Sequence, residues 1–303
     1  MPITSLKTML ADAVRGQYAV CYCESWNLES TQAVVEAAEE LRSPIIAGFN
    51  GGFLRHARRA KAENLAWYAS LRGALEGATV PVAFLLNESD DLEQIREGIE
   101  LGFNAVMPEN EGLGHDEHRT LVREVVALAR PRDVLVEAQI GVLPMGGGHS
   151  SGHGSLTDPD LAYRFVAETG IDALAVSVGN IHILTEGKAQ VDYSLLERLR
   201  ERVDIPLVIH GGTGLGEDTL AKMVQLGAAK FNFGTRLKQA YLEAVRTALS
   251  QYHMPQSPHE YLGIGGPEDI MTAGREAVKE DVKKLLRICG SENRVTHDFS
   301  TVV

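Results

Sequence analysis

The chain alternates short apolar runs with amphipathic stretches along most of its length. The apolar runs are Tyr18–Cys23, Pro44–Phe49, Val80–Leu86, Asn104–Met107, Asp133–Glu137, Ala173–Val178, Pro206–Ile209 and the segment beginning at Ala228. Each is bounded by polar or glycine-rich residues, the pattern of a buried strand in a parallel sheet. Between them, apolar positions recur at helical spacing. The spacing predicts helices over about Ser5–Arg15 (closed by Gly16), from Ser30 as cap, over about Ala60–Glu76, from Asp90 and over His115–Leu128. It predicts further helices from Asp158-Pro159 to Thr169 with Gly170 past the end, over Tyr193–Arg202, from about Glu217, over Thr235–Tyr252 and over about Pro267–Arg287.

Eight strands, seven of them clearly followed by a helix, imply parallel pairing through right-handed crossovers. Eight such units close into an α/β fold, the (β/α)8 TIM barrel. An open doubly wound sheet usually has fewer strands, and no G-x-G-x-x-G follows the first one. No linker divides the chain. The expectation is one domain over residues 1–303, with a C-terminal helical extension from about 253 to 303.

The 303 residues and 44% apolar content suit a large single core. A net charge of −12, with no run of Lys or Arg, argues against a nucleic-acid partner. An anionic substrate would therefore be held by local N–H groups and a metal, against the overall field. Cys21, Cys23 and Cys289 form no C-x-x-C motif and no disulfide framework, which fits a reduced, cytoplasmic setting. Cys21 and Cys23 are read as facing opposite sides of the first strand. The N-terminus carries no apolar signal core and no stretch reaches membrane length, so no membrane partner is expected.

Closing the barrel gathers the polar residues at the strand ends on one rim: Glu24, Asn50, Asn87, Glu88, Glu109, Glu137, His182, His210 and Asn232. Polar groups converging on one mouth make a site by geometry. His182 and His210 follow neighbouring strands and could share a metal, with Glu88 as the nearest carboxylate by topology. Two histidines and one glutamate leave a position open for substrate, as catalytic zinc sites do. The turns at Gly211-Gly212-Thr213 and Asn232-Phe233-Gly234-Thr235, each leading into a helix, look like paired phosphate cradles. His149 and His153, in the irregular segment 139–157, are read as part of a polar flap rather than a second metal site. Tyr22 and Trp26 stand either at the mouth or against a helix, and the sequence does not separate the two.

With these residues laid out, the sequence resembles the class II, zinc-dependent ketose-bisphosphate aldolases (fructose- and tagatose-bisphosphate aldolases) from Met1 to about Gly290. The strongest stretches are LVIHGGTGL, KFNFGTRLK, LTDPDLAYRFVAETGIDALAVSVGNIH and ITSLKTMLADAVRGQYAV. The resemblance implies zinc, or another divalent metal, on His182 and His210. It implies a dihydroxyacetone phosphate moiety held by 211–213 and 232–235, with Asn232 touching substrate, and a homodimer or homotetramer. The departure is at strand three. Where the family reads close to A-L-H-L-D-H-G, this chain reads Ala83-Phe-Leu-Leu-Asn87-Glu88-Ser89. The first zinc histidine becomes Glu88, and the aspartate that moves the C4 hydroxyl proton becomes Asn87. The family's strand-one end, near G-A-F-N, is here Cys21-Tyr-Cys-Glu24.

Two functions stay open on these residues. One is a metal-dependent lyase that cleaves a phosphorylated ketose to dihydroxyacetone phosphate and an aldehyde. Its site would hold Glu88, His182 and His210 on metal, with Asn87, Glu88, Glu137 and Asn232 in the chemistry and Asn50 beside the substrate. Because Asn cannot accept a proton at neutral pH, Glu24, Glu88, Glu109 and Glu137 are the candidate bases. The other is a barrel that binds a phosphorylated sugar without turning it over.

Overall fold

In the computed structural model, residues 3–109, 112–141, 155–181 and 189–295 are described. Strands β1 (Val20–Glu24), β2 (Ile45–Asn50), β3 (Val82–Ser89), β4 (Ala105–Pro108), β5 (Leu135–Ile140), β6 (Ala173–Val176), β7 (Leu207–Ile209) and β8 (Ala228–Phe233) close in sequence order into a barrel. All eight pairings are parallel, β8 returning to β1. The helices are α1 (Leu6–Gly16), α2 (Leu28–Glu40), α3 (Gly51–Leu54), α4 (Leu65–Ala69), α5 (Arg72–Glu76), α6 (Leu92–Glu100), α7 (His115–Ala129) and α8 (Pro159–Thr169). They continue with α9 (Tyr193–Arg202), α10 (Glu217–Gln225), α11 (Thr235–Leu249), α12 (Pro258–Tyr261) and α13 (Ile270–Ile288).

Strand alternation divides the core in two. Inside the barrel, Val20, Tyr22, Ile46, Ala83, Leu85, Ala105, Leu135, Ala173, Ala175 and Val208 pack with Leu6, Met9, Leu10 and Ala13 of α1. The N-terminal helix thus plugs the end of the barrel opposite the strand carboxyl termini. The outer faces of the strands pack against the helices in a second, larger cluster. There α13 lies across α11 and α2, and Arg236 on α11 grips Asp281 on α13 through Nε (2.6 Å) and Nη2 (2.7 Å).

Several element boundaries differ from the pattern-based expectation for local reasons. The helix expected over Ala60–Glu76 breaks into α4 and α5, two short turns joined through Ser70 and Leu71. The cap of α2 is Asn27 rather than Ser30: its side chain accepts from Ser30 N, and the Ser30 hydroxyl accepts from Asn27 N. The left-handed residue ending α1 is Gln17 (φ 53°), one past Gly16. Strand β3 runs on through Asn87, Glu88 and Ser89. The reading that Cys21 and Cys23 face opposite ways is overturned. Residues two apart on a strand share a face, and both thiols lie in the outer cluster with Cys289, all three buried and free.

Candidate active site

The carboxyl ends of β1, β2, β3, β7 and β8 surround a cavity of about 350 Å³. Glu24, Asn50, Asn87, Glu88, Gly211, Thr213, Asn232, Phe233, Gly234 and Thr235 line it, together with Tyr22 and Lys238. Most of the rim residues nominated from sequence therefore meet at one mouth. Gly212 is buried just behind, within the short 3-10 turn Gly212–Gly214. Glu109 follows β4, its amide donating to the Ser89 carbonyl (2.8 Å), and does not line this cavity. His182, His149 and His153 fall outside the described residues.

Asn87 and Glu88 are neighbours on one strand, yet both line the cavity. Regular alternation would send one of them outward. The register between β3 and β4 slips between Leu86 and Ser89, and Glu88 takes a left-handed backbone conformation (φ 49°). This irregularity re-aims the glutamate into the barrel mouth. Asn50, opposite Asn87 in the register, then holds it: Asn50 Nδ2 donates to Glu88 Oε2 (2.5 Å) while Asn50 Oδ1 caps α3 through Phe53 N (3.0 Å).

His210 is the hub beneath the cavity, 1% exposed. Its Nε2 lies 2.8 Å from Glu137 Oε1, and a carboxylate only accepts, so Nε2 carries the proton. Asn232 Nδ2 sits 2.9 Å from the same nitrogen, and Lys230 Nζ donates to Asn232 Oδ1 (2.6 Å). Lys230 Nζ also pairs with Glu137 Oε2 at 2.8 Å, both side chains fully buried. Asn180, just past β6, donates to the His210 carbonyl (2.9 Å) and fixes its backbone. Burial alone would hold the His210 ring neutral; its hydrogen bonds to Glu137 and Glu88 outweigh that and push its pKa up to about 9. Burial raises the Glu137 carboxyl, but the Lys230 ammonium and His210 hold it below the ordinary carboxylate range.

The other imidazole nitrogen, His210 Nδ1, faces Glu88 Oε1 at 3.2 Å. That is long for a charge-assisted hydrogen bond, usually about 2.7–2.9 Å. It is close to the roughly 3.4 Å that separates two donors at tetrahedral angles around a cation with bonds of about 2.1 Å. With Nε2 turned toward Glu137, the raised pKa leaves a second proton on Nδ1 facing Glu88 Oε1, and the position of that proton is where a cation would bind. An acceptor facing an acceptor is stable only with a proton or a cation between them. The Glu137–His210 contact is the outer-shell partner that metal-binding histidines use to fix their tautomer. The donor set therefore fits a divalent metal on Glu88 and His210. Among the described residues no group of three His, Cys, Asp or Glu converges to hold one, and the third nominated ligand, His182, lies outside them.

Both nominated turns face the cavity. Gly211 is left-handed (φ 69°), and a Cβ on Gly212 would run into the Phe233 ring and the Asn232 carbonyl, so the two turns touch only because this position is glycine. Arg236 N donates to Thr213 Oγ1 (3.1 Å), tying the first turn to the start of α11. Gly234 and Thr235, at the amino end of that helix, line the mouth. The sequence reading passed over three members of this site. Lys230 stood out as a cation inside an apolar strand. Asn180 and Lys238 gave no comparable signal; Lys238, on the first turn of α11, pairs with Glu24 (2.5 Å).

Known proteins match this chain over nearly its whole length. The sequence profile described as fructose-bisphosphate aldolase class-II matches residues 4–294. The chain belongs to the class II fructose-bisphosphate aldolase family. A fructose-bisphosphate aldolase from Geobacillus stearothermophilus is 33% identical over 297 residues, covering 97% of this chain and 99% of that one. Among solved structures, the YdjI aldolase from Escherichia coli K12 superposes with a TM-score of 0.81 at 28% identity, covering 97% and 99% of the two chains. A putative fructose-1,6-bisphosphate aldolase from Coccidioides immitis reaches the same TM-score at 24% identity over 96% and 98%, a likeness of fold. Membership of that family and the name of the Geobacillus stearothermophilus relative support an aldolase function for the chain. No helix among the described residues is long and apolar enough to cross a membrane.

Proposed function

We infer that this chain is a metal-dependent class II aldolase that reversibly cleaves a phosphorylated ketose to dihydroxyacetone phosphate and an aldehyde. The observation carrying this reading is that Glu88 Oε1 and His210 Nδ1 face each other at 3.2 Å beside the cavity lined by both glycine turns. A divalent metal, zinc first, held by Glu88, His210 and the nominated His182, would supply the Lewis acid that polarises the ketone oxygen. The protein's own residues do the rest. The N–H groups of 211–213 and 234–235 receive the phosphate, which suits an anion in a chain of net charge −12. Asn232, held through its oxygen by Lys230, presents its amide at the cavity wall. Glu137 is fully buried and does not reach the cavity; it orients His210 and is a positioning residue. Glu24, on the cavity wall and paired with Lys238, is a carboxylate within the site able to take up a proton in place of the aspartate that Asn87 replaces.

The test is aldol cleavage of a panel of ketose phosphates by the metal-loaded protein, with His210→Ala as control. Cleavage abolished by that substitution supports the reading, and no cleavage of any member removes it. One observation favours a second reading, a barrel that binds sugar phosphates without turnover: the side chain at position 87 carries no ionisable proton. Thermal stabilisation by the same panel without product formation would select it.

A further inference from the structure

Two polar atoms in this mouth have no partner among the described residues: the Tyr22 hydroxyl and Asn87 Oδ1. Both side chains are almost wholly buried, Tyr22 at 2% and Asn87 at 3% exposure, and both line the same cavity. Buried hydroxyls and amides are nearly always satisfied, so two orphaned atoms on residues that line one cavity mark the place of a ligand. One is a donor and the other an acceptor, the pair that a hydroxyl or carbonyl group on carbon satisfies.

Tyr22 is held in place by its neighbours. It sits on β1 beside Asn232 in the register with β8, so its side chain points into the barrel, as Asn232 does. Alanines 83, 105, 173 and 175 in the same interior cluster leave room for the ring. Lys230 Nζ lies 5.3 Å from the ring centroid. The hydroxyl is thus presented by a packed ring on a strand, a rigid mount. The glycine turns that would take the phosphate lie on β7 and β8, while Asn87 and Glu88 come from β3; β1 and β2 lie between β8 and β3 around the barrel.

Resting on the aldolase reading above, we propose that Tyr22 is a substrate-binding residue for the aldehyde half of the reaction, its hydroxyl donating a hydrogen bond to the oxygen that becomes the aldehyde carbonyl, with Asn87 Oδ1 accepting from a hydroxyl of the same half. Tyr22 transfers no proton in this role. It holds and polarises an oxygen, and Asn87 serves as an acceptor where an ionisable side chain would have served as a base.

The experiment compares wild type, Tyr22→Phe and Tyr22→Leu in two reactions of the metal-loaded enzyme. One is exchange of the carbon-bound proton of dihydroxyacetone phosphate with deuterated water, which needs no aldehyde. The other is condensation of dihydroxyacetone phosphate with short hydroxyaldehydes. Tyr22→Phe should fall roughly 10²-fold in kcat/KM for the aldehyde, the loss of one donor to a reacting oxygen. Its exchange rate and its KM for dihydroxyacetone phosphate should hold within about twofold, and its melting temperature should not drop, since the hydroxyl has no protein partner to lose. Equal loss of exchange and condensation, or an unchanged aldehyde kcat/KM, would overturn the proposal. Tyr22→Leu, which also removes the ring beside Lys230, should lose stability and both reactions. If Tyr22→Phe behaves like Tyr22→Leu, the residue is structural and the proposal falls. Wild type that exchanges but does not condense with any aldehyde leaves the dihydroxyacetone phosphate site standing and sinks the role of Tyr22; wild type that does neither removes the aldolase reading and the proposal together.

Discussion

Inside the barrel, Lys230 Nζ lies 2.8 Å from Glu137 Oε2, with neither side chain exposed to solvent. The same glutamate holds His210, so this ion pair is the floor of the candidate metal centre.

Removing one member of a buried pair leaves the other charged and unsolvated, which costs more than the pair contributes. Lys230→Met should therefore destabilise the protein by about 3–5 kcal/mol. The double substitution Lys230→Met with Glu137→Gln should recover a large part of that loss while leaving His210 poorly oriented and activity low. Urea unfolding of the three proteins checks the first statement, and the double variant's activity checks the second.

Metal binding should release a proton. In the metal-free protein the His210 ring titrates near 9, so at pH 7.5 it is doubly protonated between Glu137 and Glu88. A cation on Nδ1 must displace the proton that faces Glu88. Calorimetric titration of the chelated, metal-free protein with zinc in buffers of different ionisation enthalpy should report about one proton released per ion at pH 7.5, the count falling as the pH passes above 9. Glu88→Ala should lower the metal content of purified protein, and retention of full metal content would take Glu88 out of the ligand set.

The contact between the two turns rests on Gly212. An alanine there meets the Phe233 ring and the Asn232 carbonyl. Because backbone must move, Gly212→Ala should cost on the order of 1–3 kcal/mol and raise the KM for phosphorylated substrate at least tenfold. Gly73→Ala, at a position where a Cβ meets nothing, is the matched control and should leave both unchanged.

His118, which does not line the cavity, should make the protein sensitive to mild acid. It is buried on α7, stacked on Phe165 at 5.3 Å, and its Nε2 has no partner among the described residues. Burial, helped by His115, lowers its pKa from 6.5 to about 4. As pH falls the unfolded chain takes up this proton first. The contribution is therefore complete above pH 6.5 and is lost between about 6.5 and 4. Between pH 8 and pH 5 the loss should reach roughly 2 kcal/mol. His118→Leu should flatten that part of the stability profile, measured by denaturant unfolding at each pH.

How much of this was legible beforehand varies by element. Helices α8 and α9 lie where the caps and periodicity place them, because Asp158-Pro159 and Gly170 are local signals that packing did not override. The stretch from Ala60 failed as a single helix because its buried apolar residues, Leu65, Ala69 and Leu75, sit on two short helices joined through Ser70 and Leu71. The site was readable as far as strand ends predict it: Glu24, Asn50, Asn87, Glu88 and Asn232 all reached the mouth. Lys230 was missed although a lysine in an apolar strand asks for a partner. Asn180 was missed because its partner is a backbone carbonyl thirty positions away.

The order of strands, the closed barrel and the family resemblance were determined by the sequence alone. Each follows from patterns a few residues long, repeated eight times, and a parallel sheet with short crossovers has few other ways to close. What only the tertiary structure decided is which atoms face each other. Glu88 points inward through a register slip and a left-handed backbone, Glu137 is occupied with Lys230 and His210 instead of reaching the cavity, and the Tyr22 hydroxyl is left without a partner. These depend on side chains up to about two hundred residues apart in sequence, such as Tyr22 and Lys230, meeting across a barrel interior; local periodicity carries no information about such meetings.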